Sequence, residues 1–259
     1  MNHELPVEMS SLIPNALPTR RGSETKSICF DVLGTCFGFE AAINTIDVRL
    51  GLQLKSVGVD PKTFFFAWFY AAQRDFTYTS IVGSYMPIAQ ILQDTIRRAC
   101  RIVDFTGDVS DDDVSAIMNA VMSLEARPGL KECYNGLKDA GWDVYVVTNG
   151  GKETSLGYCE KAGVQLDQYH CLSCDDLKKA KPDVEIYEHA SPIVAAAGCT
   201  GQQRYFVAAH AWDLLGAGKA GFKTAYLDFE EHDPVTDVFG EFDVYASTFV
   251  ELLEKLRAL

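Results

Sequence analysis

The sequence predicts an α/β fold: a doubly wound, Rossmann-like parallel sheet that forms the core, with an inserted helical cap domain. After residue 127, short apolar runs that end in polar turns alternate with helical patterns, which is the repeating unit of a parallel sheet. One more run of this kind stands apart, near residue 28, and the stretch of about 41–127 between them is helical in its spacing. We therefore expect a flexible leader over 1–24, a core built from 25–40 and 128–259, and a cap over 41–127.

Composition restricts the class of protein. With 259 residues, 47% of them hydrophobic, the chain can bury a large core. A formal net charge of -13 argues against nucleic acid or an anionic membrane as a partner, because both would repel the protein at long range. No run of 18 apolar residues and no basic, then apolar, N-terminal signal is present. We expect a protein that acts on a small-molecule substrate, with no membrane partner and a homodimer as one possible assembly.

The eight cysteines are scattered through apolar segments instead of forming a dense framework. This usage is typical of reduced thiols in a cytoplasmic protein. Cys171 and Cys174 form one close pair, with His170 beside it, but the further ligands of a zinc site are missing at any matching spacing. We expect buried or surface thiols at this pair.

The secondary structure follows from hydrophobic period and from the residues that start and stop each element. Strands are predicted at 26–31, 144–147, 170–173, 205–209, 224–227 and 243–245. Helices are predicted at 41–52, 61–75, 84–103, 110–124, 130–139, 153–162, 182–197, 212–220 and 249–257.

The first strand delivers a carboxylate to a sharp turn. The apolar residues 28–30 are followed by Asp31, and Gly34 and Thr35 come soon after. In an open α/β sheet, ligands bind at the carboxyl edge of the strands, so Asp31 would stand at the mouth of a site. The alternative is that Asp31 caps a turn, as Asp often does after a strand.

The predicted cap contains an aromatic run at 64–70 that is too dense for one face of a helix. Most of these rings should form the core of the cap. Two or three could line a hydrophobic substrate pocket that faces Asp31, and Trp68, Phe69 and Tyr70 are our candidates.

Polar residues at the ends of four predicted strand segments should meet at one edge of the sheet. They are Asp31, Thr148 with Asn149, Lys181 and Asp213. A carboxylate, a hydroxyl and amide pair, an ammonium and a second carboxylate could support covalent catalysis by Asp31.

Four segments of this sequence resemble the motifs of the haloacid dehalogenase-like superfamily, over about residues 27–230. They are FDVLGTCF, VVTNGG, KKAKPDVEIYEHA and FVAAHAWDLLGAGKAGFKTAYL. The last segment is most similar to the L-2-haloacid dehalogenase branch, and the place of the predicted cap matches that branch.

The resemblance implies a role for each matching residue. Asp31 would be the nucleophile, and Lys181 the cation that keeps it ionised. Asp213 would orient Lys181 or a water molecule. The remaining matches would bind substrate or lie beside the site, and they are Thr35, Thr148, Asn149 and Tyr187.

Two departures from the superfamily pattern argue against a metal and a cofactor. Phosphatases of this superfamily carry a second Asp two positions after the nucleophile, where this chain has Leu33. They also hold magnesium with acidic residues after the fourth strand, where this chain has Ala209 and His210. Since magnesium needs several oxygen ligands, we expect a metal-independent site without cofactors.

Other departures concern the substrate. The dehalogenase branch has an arginine in the cap, whereas the matching stretch of helix here, 68–72, has no basic residue, and Arg74 lies one turn further on. Arg74 could substitute for it with a different reach. Loss of that arginine, together with added aromatic residues, favours a larger and more apolar substrate. His210 could move a proton near Asp31, or it could bond backbone at a strand end.

The leading hypothesis is a hydrolase in which Asp31 attacks carbon of a small, hydrophobic organic substrate and forms an ester that water cleaves. A second hypothesis keeps the pocket but replaces the ester with acid/base opening of an epoxide or a rearrangement, in specialised (secondary) metabolism. A third is a catalytically silent, ligand-binding relative. The acidic run 230–233 is expected to be a solvated loop.

Overall fold

The computed structural model describes residues 26–196 and 204–259, and the side chains of 26–190 and 204–259. The predicted leader lies outside the described residues. Six strands form one parallel sheet in the order β5-β4-β1-β6-β7-β8. These strands are β1 (Lys26–Phe30), β4 (Trp142–Thr148), β5 (Cys171–Ser173), β6 (Arg204–Ala208), β7 (Lys223–Leu227) and β8 (Val244–Ala246).

The strand order places a crevice beside β1. From β1 the chain builds one half of the sheet through β4 and β5, and then returns to build the other half through β6, β7 and β8. Both neighbours of β1 pair with it in parallel, and Asp31 N donates to Val207 O at 2.9 Å. Loops after adjacent strands diverge at such a switch point, so the ends of β1 and β6 flank an open crevice.

Helices of the α/β part cover the sheet. They are α5 (Leu130–Asp139), α6 (Lys152–Lys161), α7 (Cys174–Leu177), α8 (Val184–Ala196), α9 (Ala211–Lys219), α10 (Thr236–Phe239) and α11 (Phe249–Arg257). The predicted α/β fold is confirmed, and each predicted strand is present. The short helices α7 and α10 were not predicted, because a single turn has too few residues to show a helical period.

Four helices lie between β1 and β4 in the chain, and we call them the four-helix segment. They are α1 (Glu40–Ser56), α2 (Pro61–Ile81), α3 (Ile88–Ile102) and α4 (Asp111–Val121). Two short antiparallel strands, β2 (Phe37–Gly38) and β3 (Glu125–Ala126), tie its two ends together. The division of the chain into a core and a cap remains a prediction, to which this pairing of the ends lends support.

Two of these four helices, α2 and α4, begin with side-chain caps that are encoded locally. Asp60 accepts a hydrogen bond from Thr63 N at the start of α2, and Pro61 occupies the first turn. Ser110 and Asp113 form a reciprocal capping box at the start of α4. Helix α2 runs six residues beyond the predicted end at 75, and α3 begins four residues after the predicted start at 84. None of the described helices is long and apolar enough to cross a membrane.

Candidate active site

Asp31 lies at the carboxyl end of β1, with its side chain 7% exposed. One carboxylate oxygen, Oδ1, accepts a hydrogen bond from Lys181 Nζ at 2.8 Å. The other, Oδ2, accepts one from Thr35 Oγ1 at 2.6 Å. The Thr35 hydroxyl also accepts from Ala209 N at 2.9 Å, so it joins the loops after β1 and β6.

The charge of Asp31 is maintained by its partners. Burial by itself raises the pKa of this carboxyl, but the positive charges of Lys181 and His210 outweigh it and hold the pKa well below its usual value. Asp31 is therefore an ionised, largely desolvated carboxylate at neutral pH. Such a group is a stronger nucleophile than a hydrated one.

Lys181 lies between two carboxylates. Its Nζ donates to Asp31 and, at 2.6 Å, to Asp213 Oδ2, and its side chain is 0% exposed. Burial lowers the pKa of Lys181, but the charges of Asp213 and Asp31 more than compensate and raise it. The Lys181 ammonium therefore neutralises part of the charge of both carboxylates.

Asp213, which accepts the second hydrogen bond of the Lys181 ammonium, is itself bonded by Tyr187. Tyr187 OH donates to Asp213 Oδ1, and both side chains are buried. Burial raises the pKa of Asp213, an effect that Lys181 opposes and Asp31 reinforces. Tyr187 therefore bonds the carboxylate of Asp213, which fits its predicted place beside the site.

Thr148 and Asn149 follow β4 and are both buried. Asn149 Oδ1 accepts from Lys181 N at 3.0 Å and from Cys174 Sγ at 3.1 Å. Thr148 Oγ1 accepts from Gly150 N at 2.9 Å. These bonds show that Asn149 positions the backbone of Lys181, a contact that sequence reasoning missed. A role for either residue as a donor to substrate remains a prediction.

His210 precedes α9 and is buried between two carboxylates. Its Nδ1 lies 3.7 Å from Asp31 Oδ2, and its Nε2 lies 3.1 Å from Glu230 Oε1. Burial lowers the pKa of His210, but the negative charges of Asp31 and Glu230 and the hydrogen bond with Glu230 raise it to about 10. His210 is thus an imidazolium at neutral pH.

Glu230 is a residue that the sequence did not single out. Its side chain is 1% exposed, so the expectation of a solvated loop is wrong at this position. Besides His210 it contacts Tyr70, whose OH donates to Oε1 at 3.3 Å, and Arg127, whose Nη2 lies 3.5 Å from Oε2. Its position just after β7 could have identified Glu230 as a site residue, since the loop after β7 lies at the same edge of the sheet as Asp31.

Arg127 is a second residue that was missed. Its side chain is 15% exposed, its Nε donates to Gly34 O at 2.8 Å, and its guanidinium lies 5.2 Å from the centre of the Phe229 ring. Arg127 directly follows β3, where the four-helix segment ends. A cation therefore lies close to the nucleophile loop, supplied by the chain between β3 and α5.

The aromatic candidates of α2 separate into two groups. Trp68 and Phe69 are buried inside the four-helix segment, where Trp68 Nε1 donates to Thr95 Oγ1 at 3.2 Å. Tyr70 and Phe66 instead line a cavity of about 720 Å³ between this segment and the loop after β7. The structure thus places Trp68 and Phe69 in the packed interior, away from the wall of that cavity.

Arg74 lies on the surface of α2 and does not extend the site that contains Asp31. Its Nη2 pairs with Asp75 Oδ1 at 3.0 Å, and its side chain is 54% exposed. It lines a separate groove with Tyr70, Trp212 and Glu231. The proposed substitution of Arg74 for the cap arginine has no support from this geometry.

A metal ion at this site would need several ligands from neighbouring side chains. Among the side chains of 26–190 and 204–259, no cluster of three or more His, Cys, Asp or Glu residues is suited to a metal ion. The buried ammonium of Lys181 supplies positive charge to Asp31 and Asp213 directly. The expectation of a site without metal or cofactor remains a prediction.

Comparison with known proteins places this arrangement in a family context. No family model matches the chain. It is 28% identical to (S)-2-haloacid dehalogenase 4A of Burkholderia cepacia over 207 residues, which are 79% of this chain and 87% of that protein. It is 25% identical to (S)-2-haloacid dehalogenase of Pseudomonas sp. (strain YL), covering 82% and 88% of the two chains.

The solved structures to which this chain is similar are also dehalogenases. A crystal structure of a dehalogenase superposes with a TM-score of 0.74 at 25% identity, over 90% of this chain and 98% of that one. The L-2-haloacid dehalogenase from Xanthobacter autotrophicus with chloropropionic acid covalently bound superposes with a TM-score of 0.72 at 15% identity, over 91% and 99%. The chain is haloacid dehalogenase-like, near the L-2-haloacid dehalogenase branch.

This haloacid dehalogenase-like chain keeps the ammonium and carboxylate core that the motifs imply. In addition, His210, Glu230 and Arg127 surround its nucleophile loop. The comparisons do not support epoxide opening, rearrangement or a silent ligand-binding role.

Proposed function

We propose that this chain is a metal-independent hydrolase in which Asp31 displaces a halide from carbon of a small organic substrate. The observation that carries the proposal is the buried carboxylate of Asp31, fixed by Lys181 on one oxygen and by Thr35 on the other. The resemblance of the chain to 2-haloacid dehalogenases supports the same chemistry.

The first step forms an ester. An oxygen of Asp31 bonds to the substrate carbon while the bond from carbon to halogen breaks, and the halide departs with the electron pair. Lys181 keeps Asp31 ionised before attack, and the dry surroundings avoid the cost of stripping water from the carboxylate during the reaction.

The second step cleaves the ester with water. Ester formation removes the negative charge of Asp31, one of the two carboxylates that raise the pKa of His210. His210 then loses its proton to solvent more readily and accepts a proton from the attacking water. Water oxygen bonds to the carboxyl carbon of Asp31, the alcohol leaves with the other water proton, and the ionised Asp31 and protonated His210 are restored.

A single-turnover reaction in heavy-oxygen water tests the ester. With 2-haloacids and longer organohalides as probes, the proposal expects the label in the Asp31 side chain, found by peptide mass analysis. Asp31→Asn should abolish halide release, whereas Asp139→Asn, at the exposed end of α5, should not change it. Turnover with the label in the alcohol product alone would refute attack by Asp31.

Three finer features belong to the same proposal. The described cysteines are buried, which supports reduced thiols and a cytoplasmic setting. The four-helix segment would act as the cap over Asp31, since Tyr70 and Phe66 line the adjoining cavity. A homodimer and a place in specialised metabolism complete the proposal.

A further inference from the structure

We infer that Glu230 is a positioning residue: it keeps a proton on Nε2 of His210, so that Nδ1, the ring nitrogen nearer Asp31, is the atom that takes the proton of the attacking water. This inference rests on the proposed function and deepens its second step. It concerns a row of three buried side chains, Asp31, His210 and Glu230, which are 7%, 2% and 1% exposed.

The two nitrogens of the His210 ring face different carboxylates. Nε2 lies 3.1 Å from Glu230 Oε1, which is hydrogen-bond distance. A carboxylate can only accept, so this bond requires a proton on Nε2. Nδ1 lies 3.7 Å from Asp31 Oδ2, which is beyond hydrogen-bond distance, and that oxygen already accepts a bond from Thr35. The shorter contact therefore fixes the proton on Nε2 and leaves Nδ1 less firmly engaged.

Glu230 is itself held from two other parts of the chain. Its Oε1 also accepts from the OH of Tyr70, on α2, at 3.3 Å. Its Oε2 lies 3.5 Å from Nη2 of Arg127, whose Nε donates to the backbone oxygen of Gly34. A carboxylate that is fixed at both oxygens can orient the imidazole that it bonds.

The backbone around the pair is shaped to admit it. A Cβ at Gly34 would lie 2.5 Å from Glu230 Oε2 and 2.9 Å from His210 Cε1, so the absence of a side chain there makes room for both groups. The next residue of the same loop, Glu231, accepts a hydrogen bond from Ala211 N at 2.9 Å. Two consecutive glutamates thus hold the turn that carries His210.

Formation of the ester changes which ring proton is easier to lose. The charge of Asp31 that faces Nδ1 disappears, whereas the Glu230 carboxylate still accepts from Nε2. The ring therefore releases the proton of Nδ1, and a carboxylate fixes the tautomer of the catalytic histidine in serine proteases in the same way. When water oxygen bonds to the carboxyl carbon, one water proton passes to Nδ1, the bond to the alcohol oxygen breaks, and the alcohol takes the other proton.

Nitrogen NMR of the imidazole tests the tautomer without need of turnover. Asp31→Asn, whose side chain is uncharged like the ester, is labelled with nitrogen-15 histidine, and long-range proton–nitrogen correlations show which ring nitrogen of neutral His210 carries the proton. We expect the Nε2–H form to prevail at least about tenfold, because its hydrogen bond has a charged acceptor.

A second substitution in the same protein assigns that preference to Glu230. Glu230→Met keeps the length of the side chain and removes the acceptor, and it should reduce the preference to less than about threefold. Glu254→Met, exposed on α11, is the matched control and should leave the preference unchanged. Thermal unfolding establishes that each variant is folded. If Glu230→Met does not fold, the spectrum of Asp31→Asn alone still distinguishes the two tautomers.

Rapid-quench kinetics on the otherwise wild-type chain separates the two steps. With an organohalide that labels Asp31, Glu230→Met should release the first equivalent of halide within about threefold of the wild-type rate but hydrolyse the ester at least about tenfold more slowly. The ester should then accumulate, and the intact mass of the protein measures it. A purely structural role of Glu230 would slow both steps alike.

Three results would overturn the inference. They are a prevailing Nδ1–H form in Asp31→Asn, an unchanged tautomer in the folded Glu230→Met variant, and equal slowing of the two steps. Failure of the proposed hydrolase has a different sign, because no organohalide would then label Asp31, whereas NMR would still report the tautomer. A labelled Asp31 together with an Nδ1–H tautomer would refute the role of Glu230 alone.

Discussion

A buried cation between two buried carboxylates is the feature on which the site depends at the scale of single residues. Lys181 donates to Asp31 and to Asp213, and all three side chains are at least nine-tenths buried. Such a group is stable only while it is complete, because removal of one member leaves an uncompensated charge in a medium of low polarity.

Lys181→Met keeps most of the volume of the side chain and removes its charge. We expect a loss of about 3–5 kcal/mol in the free energy of unfolding at pH 7, together with loss of turnover. The loss of stability should shrink at low pH, where protonation of one carboxylate relieves the repulsion. Urea unfolding at both pH values measures this, with exposed Lys219→Met as the control. Equal stability of the Lys181 variant and the wild type at pH 7 would contradict the prediction.

His210 should titrate far above its ordinary range. Asp31 and Glu230 contact it directly, and Glu231 lies close in the same loop. Because the folded pKa of about 10 exceeds the ordinary value of 6.5, the stabilisation from its protonation is full below pH 6.5 and is lost as pH rises through about 10. The free energy of unfolding of the wild type, relative to that of His210→Asn, should therefore decrease as the pH rises from 6.5 to about 10.

Proton NMR of the His210 ring measures directly how strongly Asp31 and Glu230 raise the pKa of His210. Asp31→Asn, which mimics the loss of charge on ester formation, should lower the pKa of His210, and Glu230→Gln should also lower it. An unchanged pKa in both variants would remove the basis for His210 as the base of the second step.

At the scale of the element, α9 shows how a helix positions the site through one small residue. A Cβ at Gly216 would lie 2.7 Å from Tyr187 Cε2 and 3.0 Å from Pro182 Cβ, so only glycine permits α9 to pack against this tyrosine. Tyr187 in turn bonds Asp213.

Gly216→Ala should therefore destabilise the protein by about 1–3 kcal/mol and reduce kcat, because Tyr187 must shift. Gly218→Ala is a matched control on the same helix. Its Cβ would meet Thr224 Cγ2 at 3.8 Å, an ordinary contact, and we expect no loss of stability and a gain of up to about 1 kcal/mol. Calorimetric unfolding measures the stability of both variants, and steady-state kinetics measures their kcat. Equal effects of the two substitutions would contradict the role given to Gly216.

At the scale of the whole molecule, the four-helix segment contacts the α/β part through a few specific polar bonds. Tyr85 OH donates to Asp175 Oδ1 at 2.6 Å, and Ala180 N donates to Ser80 Oγ at 2.8 Å. These bonds join the end of α2 and the loop after it to the stretch that carries Lys181. The position of the segment is thus coupled to the position of the catalytic ammonium.

Tyr85→Phe should loosen this contact. The hydrogen bond has a charged acceptor, so we expect a loss of about 1.5 kcal/mol in the free energy that holds the segment in place. Faster amide hydrogen exchange near the end of α2 and in 178–182 measures it. Tyr78→Phe, an exposed residue of α2, is the control and should leave exchange unchanged. Unaltered exchange in the Tyr85 variant would show that other contacts hold the segment.

Much of the fold and part of the site were predictable from local pattern. Alternating apolar runs and helical segments predict the parallel sheet, and parallel strands bring their carboxyl ends to one edge. Asp31, Lys181 and Asp213 could be expected to meet for that reason, with the superfamily motifs as support. Glu230 and Arg127 could not, because a charged residue in a loop reads as solvated until its neighbours are known.

The sequence by itself determined the order of strands and helices and the approach of Asp31, Lys181 and Asp213, since period and strand polarity are local properties of the chain. Only the tertiary structure decided which aromatic rings line the cavity and which fill the interior. It also decided that Glu230 lies buried against His210. Burial and charge pairing depend on surfaces that are brought together from distant parts of the chain, and no local pattern records them.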